Sequence, residues 1–193
     1  MIAKAVSREP SAVIAKAANT RRPRPPGSAS VRAMTSPASP ATLSRSVDVQ
    51  APAERVWALV SDLPAMGQLS PENAGGQWRN GAQGPAVGAR FKGTNRSGWR
   101  RWSTAVTVTD CEPGRRFAFA VRSAGLPVAT WAYDVEPQGA RACRVTETWT
   151  DQRGRLITRL GALATGVSDR QAFTATSIEQ TLEQVRVTAE AQV

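Results

Sequence analysis

From Gln77 to Thr150 the chain is cut by turn residues into short extended segments, and no cut is long enough to house a crossover. The segments are Gln77–Asn80, Ala89–Asn95, Arg101–Cys111, Arg116–Arg122, Val128–Glu136 and Cys143–Thr150. The cuts fall at Asn80-Gly81, Arg96-Ser97-Gly98, Glu112-Pro113-Gly114, Ala124-Gly125 and Pro137-Gln138-Gly139, all residues that favour turn geometry. A parallel connection takes about a dozen residues or more. The spacing therefore predicts an antiparallel meander.

What flanks the meander predicts its partners. Leu43–Val49 alternates and reads as one more strand. It leads into "APAERVWALVSDLP", where Pro52 suits the first helical position and Val56, Trp57, Leu59, Val60 and Leu63 form an apolar face before Pro64 and Pro71. After the meander, "RLITRLGALATG" precedes Ser168-Asp169-Arg170-Gln171, which has the form of a capping box with Ser168 at the N-cap. Ala172, Ala175, Ile178, Leu182, Val185 and Ala189 then recur at spacings of three and four, the stripe of a long amphipathic helix. Strand alternation gives faces of Phe117, Phe119 and Val121, of Trp131, Tyr133 and Val135, and of Val145, Glu147 and Trp149. Arg116, Arg122, Asp134, Arg144, Thr146 and Thr148 lie opposite. A sheet with one aromatic-rich face needs a cover, and the terminal helix supplies an apolar stripe.

Composition limits the chemistry. The chain has no histidine and two cysteines, so a serine or cysteine nucleophile activated by imidazole, a His-ligated zinc and a thiolate zinc cage are all excluded. No metal or cofactor is expected, and catalysis would have to come from carboxylates, hydroxyls, arginine or backbone dipoles. Cys111 and Cys143 are too few for a disulfide scaffold, so a cytoplasmic location is expected. No apolar run approaches the ~18–20 residues of a membrane span.

The net charge of +10 is unevenly placed. Residues 1–45 carry eight basic side chains against Glu9 alone, leaving residues 46–193 nearly balanced. Basicity so placed argues against nucleic acid as a partner. Residues 1–42, rich in Pro, Ala, Ser and Arg, are expected to be a disordered basic tail, with residues 43–193 as the domain. Ser11–Ala18 is the tail's one candidate helix, and Met34 offers an alternative start.

The order strand, helix, six strands, helix, entered through "VDVQAPAERVWALVSDLPAMGQLSPE", resembles the START-like or SRPBCC superfamily, also called polyketide cyclase/dehydrase-like. "GARFKGTNRSGWRRW", "TVTDCEPGRRFAFAV", "ATWAYDVEP" and "CRVTETWTD" are similar to its consecutive strands. "LGALATGVSDRQAFTATSIEQTLEQV" is similar to the terminal helix of its actinobacterial-type branch. The resemblance implies an α+β helix-grip fold. In that fold a curved antiparallel sheet of about six to seven strands wraps a long C-terminal helix, short helices follow the first strand, and an apolar cavity lies between. Fold constrains function weakly here, because the superfamily spans carriers, sensors and cyclases.

Within that frame Glu147 stands out, since period two places it on the apolar side between Val145 and Trp149. Two readings stand: a ligand anchor or general acid/base, and a structural carboxylate bonded to a neighbour such as Asn95 or an arginine. Tyr133, the only tyrosine, shares its face with Trp131 and is the second catalytic candidate, as a hydrogen-bond donor. Phe91, Asn95, Trp102, Phe119, Trp131, Tyr133, Glu147 and Trp149 are the expected ligand-binding residues, with Met66, Leu69 and Ser70 near a gate. The favoured function is binding of a small hydrophobic or amphipathic molecule, lipid or polyketide-like, as carrier or sensor. A polyketide aromatase/cyclase-type enzyme and an interaction module with a closed cavity are the alternatives.

Overall fold

The computed structural model describes residues 40–154, 157–158 and 165–191. The expectations for the tail, for Ser11–Ala18 and for most of "RLITRLGALATG" lie outside these residues. The described residues fall in the unit Ala38–Val193.

The chain enters through strand β1 (Thr42–Val49), helix α1 (Ala53–Ser61) and a 3-10 turn (Met66–Gln68). Six strands follow: β2 (Asn73–Arg79), β3 (Arg90–Ser97), β4 (Arg100–Glu112), β5 (Arg116–Ser123), β6 (Leu126–Pro137) and β7 (Cys143–Asp151). Helix α2 (Arg170–Glu190) closes the domain. The strands form one curved seven-stranded sheet in the order β1-β7-β6-β5-β4-β3-β2, with every neighbouring pair antiparallel. This is the helix-grip architecture.

Register decides which side chains share the inner face. Phe117 opposes Tyr133, which opposes Glu147. One step along, Phe119 opposes Trp131, and Trp131 opposes Trp149. The aromatic residues of β5, β6 and β7 thus form two cross-strand rows on one side. The outer side carries hydroxyl pairs and ion pairs. Ser46 and Thr146 hydroxyls lie 2.8 Å apart, Arg144 holds Asp48 through two bonds of 2.8 and 2.9 Å, and Arg116 bridges Asp110 and Asp134.

Three expectations are corrected at element ends. Pro52 is the N-cap of α1 and not its first helical residue: with ψ of 144° it is still extended, and its carbonyl accepts from the Arg55 and Val56 amides. The N-cap of α2 is Asp169, one residue beyond Ser168; its carboxylate accepts from the Ala172 amide at 2.9 Å. A carboxylate at that point also meets the positive end of the helix dipole. Strand β2 starts at Asn73, four residues ahead of the expected start, because a bulge between Asn73 and Gly76 carries the pairing through residues that read as a loop. Gly75 sits there at φ +80°, and Gly76 lies so close to the Lys92 carbonyl that an added Cβ would stand 2.2 Å from it.

The core lies between α1, the C-terminal half of α2 and the inner face of the sheet. Val56 and Val60 of α1 and Ile178, Leu182, Val185 and Ala189 of α2 are buried. Trp57 anchors α1 to the sheet, its indole N–H donating to the Arg116 carbonyl at 3.0 Å. The N-terminal half of α2 departs from the expected stripe. Ala172 is exposed and Ala175 half-buried, while Thr174, Ser177 and Thr181 face inward and are buried. Hydroxyls occupy that face because part of it borders open space and not packed core.

Candidate functional site

A cavity of about 230 Å³ lies between the inner face of the sheet and the N-terminal half of α2. Strands β3 to β7 wall it on one side, α2 on another, and the segment from Leu63 to Asn73 on a third. Phe91, Asn95, Trp102, Phe119, Trp131, Tyr133, Glu147 and Trp149 all line it. The sheet brings these eight together because they occupy inward positions of five adjacent strands. Of the expected gate residues Met66 and Ser70 line the cavity, whereas Leu69 is buried in the core beside it. Trp99 points away on the β3–β4 turn, 83% exposed, with the Arg100 guanidinium 4.7 Å over its ring.

The polar centre of the cavity is a pair. The Tyr133 hydroxyl donates to Glu147 Oε1 at 2.9 Å, and the two residues face each other across the β6–β7 register. Glu147 is 2% exposed, and its Oε2 meets no hydrogen-bond partner among the described residues. Burial drives the Glu147 carboxyl up to about 8, with the Tyr133 bond opposing that rise. Tyr133 is pushed well above the ordinary phenol range, first by burial and then by the neighbouring carboxyl. A buried carboxyl without a cation keeps its proton, because the neutral form avoids the desolvation cost of a charge. Asn95, a suggested neighbour of Glu147, instead donates its amide to the Thr104 hydroxyl at 3.1 Å.

Ionic groups gather towards the N-terminus of α2. Arg170 holds Glu72 at 2.6 Å, and Arg153 grips Asp151 through bonds of 2.8 and 2.6 Å. Arg153, Arg170 and Glu72 all line the cavity; sequence reasoning missed Arg170 and Glu72 because an ion pair between distant segments leaves no local signal, and Arg153 because it lies just beyond the last strand, where alternation no longer assigns a face. Thr104 and Val106 were within reach, since they continue the period-two face of Trp102. Thr174 and Ser177 were not, being polar positions on a helix read for its apolar stripe.

The cysteines take no part. Both are free, and burial pushes the Cys143 thiol up to about 11 and raises Cys111, the reverse of nucleophile activation. Among the described residues no group of three metal-ligating side chains gathers in one place, and no helix is long and apolar enough to cross a membrane.

Comparison with known proteins gives this geometry relatives. Residues 40–189 match the family described as "Polyketide cyclase / dehydrase and lipid transport". Among solved structures, a polyketide-cyclase-like protein of Corynebacterium glutamicum is 29% identical, with 78% of this chain and 92% of that one covered at a TM-score of 0.56. A Deinococcus radiodurans protein is 17% identical over 79% of this chain and all of that one (100%), at a TM-score of 0.57. The di-domain ARO/CYC BexL, from the BE-7585A biosynthetic pathway, is 18% identical; 81% of this chain covers 52% of BexL at a TM-score of 0.58. The last two, at such identity, show likeness of fold. No curated protein matches the chain.

Proposed function

We propose, since this chain belongs to the polyketide cyclase / dehydrase and lipid transport family and so to the START-like superfamily, that it binds a compact hydrophobic or amphipathic molecule as a cytoplasmic carrier or sensor. The observation that carries the proposal is the cavity of about 230 Å³ with aromatic walls and one buried, half-satisfied carboxyl. Small-molecule sites pair apolar walls with a few placed polar groups in this way, and run to roughly 300–1,000 Å³. A cavity just below that range favours a short chain or a small ring system over a two-chain lipid. The eight inward residues named from the sequence are the proposed contacts. An interaction module would be expected to fill this space with side chains.

Native mass spectrometry on protein purified without detergent, joined to thermal shifts with fatty acids and aromatic polyphenols, tests this reading. A guest at a hundredfold excess over its Kd adds about 2.7 kcal/mol, which raises Tm by roughly 5–10 °C for a domain of this size. Protein that carries no guest and shifts with no compound would overturn the proposal.

A second reading, an aromatase/cyclase-type enzyme, is favoured by the chemistry of the pair. A carboxyl that keeps its proton near neutrality, bonded to a phenol, can deliver that proton to a developing enolate. Under this reading Glu147→Gln abolishes turnover and spares affinity; an equally active variant would remove Glu147 from the chemistry.

A further inference from the structure

Glu147 Oε2 is a buried polar atom on the cavity wall with no hydrogen-bond partner among the described residues, and its surroundings determine which ligand atom suits it. An ionised carboxylate would need cations or several donors. Directly across the β1–β7 register stands Arg45, but its guanidinium turns to Glu179 of α2 at 3.1 Å and to the Ser44 carbonyl at 2.9 Å. Arg153 is held by Asp151, and Arg170 by Glu72. Each of these arginines already has its own carboxylate, and among the described residues no ion pair reaches Glu147. From β6 it receives one donor, Tyr133. Of the α2 side chains lining the same cavity, Thr174 and Ser177 bear hydroxyls.

In the neutral acid, Oε1 is the carbonyl oxygen that accepts from Tyr133. Oε2 then bears the proton and is a donor without an acceptor. We propose that Glu147 offers the guest a hydrogen bond, and that the guest is an uncharged carbonyl compound (a ketone, quinone or ester) whose oxygen accepts it. The proposal rests on the reading of the cavity as a ligand site and narrows the class of ligand. A carboxylate guest would bring a charge beside an acid whose described arginine neighbours are already paired. An ammonium guest would require Glu147 to ionise. Next to the donor the wall is aromatic: Trp131 and Trp149 pack with ring centroids 6.5 Å apart, and Phe119 opposes Trp131. A carbonyl set on a flat apolar body matches both features.

The test uses one apolar body with three heads: 2-acetylnaphthalene, 2-naphthoate and 2-naphthylmethylammonium. Binding is read by calorimetry and by quenching of the cavity tryptophans. The ketone should bind best, and its affinity should fall about tenfold per pH unit once Glu147 ionises. Glutamine keeps a donor where Oε2–H stood, so E147Q should hold the ketone within a few-fold and lose the pH dependence. E147L should lose about tenfold, the value of one such bond. Preference for the ammonium, with E147Q abolishing it, would overturn the proposal. So would a Glu147 carboxyl carbon that titrates by NMR in the ordinary glutamate range, whichever probe binds. If that carbon titrates near 8 and none of the three probes binds, the ligand reading of the cavity falls, and the proposal with it.

Discussion

Replacing Glu147 with glutamine should remove a pH dependence of folding that the wild-type protein carries through neutrality. The folded carboxyl ionises at about 8, against an ordinary value of 4.5. Between these values the unfolded chain has released the proton that the folded chain keeps. Unfolding therefore liberates a proton, and each rise in pH favours it. The contribution of the neutral acid is fully present below about 4.5 and is lost as pH climbs through 8. At about 1.36 kcal/mol per pKa unit, the whole span is worth roughly 5 kcal/mol, an upper figure for a protein whose total stability is of the order of 5–15 kcal/mol. With no histidine in the chain, the usual titration in this window is missing, so the effect stands on a flat background. Asp48, Asp151 and Glu183 are shifted down, and their stabilisation is lost only as pH falls through the acid range, outside the window. Urea unfolding followed by tryptophan emission at about pH 5, 6, 7 and 8 should show wild type losing about 1 kcal/mol or more per unit while E147Q stays level. Parallel curves for the two proteins across that range would refute the reasoning.

Other perturbations probe separate parts of the structure. Asp169→Ala removes the cap that accepts from the Ala172 amide and should cost about 1 kcal/mol, seen as a lower urea midpoint at unchanged slope. Gly76→Ala places a methyl 2.2 Å from the Lys92 carbonyl and 2.5 Å from the Phe91 ring; overpacking of this kind costs about 1–3 kcal/mol, and amide exchange should quicken first in β2. Ser177→Leu fills cavity space from the α2 side and should abolish guest binding in calorimetry while leaving Tm within a few degrees. Trp57→Phe loses the indole bond to the Arg116 carbonyl and should cost about 1–2 kcal/mol by thermal denaturation.

Much of this architecture was legible because two signals act locally. Period-two alternation placed Phe119, Trp131, Glu147 and Trp149 on one face, and short turns made the strands antiparallel, so residues named strand by strand line one cavity. What escaped depends on register or on distance. Tyr133 and Glu147 were each singled out, but their bond requires the β6–β7 pairing that sets them opposite each other. The Arg170–Glu72 bridge joins the start of α2 to the approach to β2, a contact between segments nearly a hundred residues apart. Trp102, named from the sequence, is on the cavity wall, whereas Trp99 three residues earlier is on the turn tip, because alternation stops where the hairpin turns. The early start of β2 was hidden for the opposite reason. Glycine and asparagine signal a turn, and here they build a bulge inside a strand.

The change along α2 from Thr174 and Ser177 to Leu182, Val185 and Ala189 has a mechanical consequence. Its last turns are set in the dense part of the domain, whereas its first turns rest on hydroxyls, the Asp169 cap and the Arg170–Glu72 bridge. Polar attachments of that kind release at small cost where buried aliphatic packing does not. On the proposed ligand-binding reading, the helix would act as a beam fixed at one end, its first turns lifting for a guest while the packed end keeps the fold intact. Exchange of a guest would then be uncoupled from unfolding of the domain, and amide exchange should be faster in the first turns of the helix than in the last.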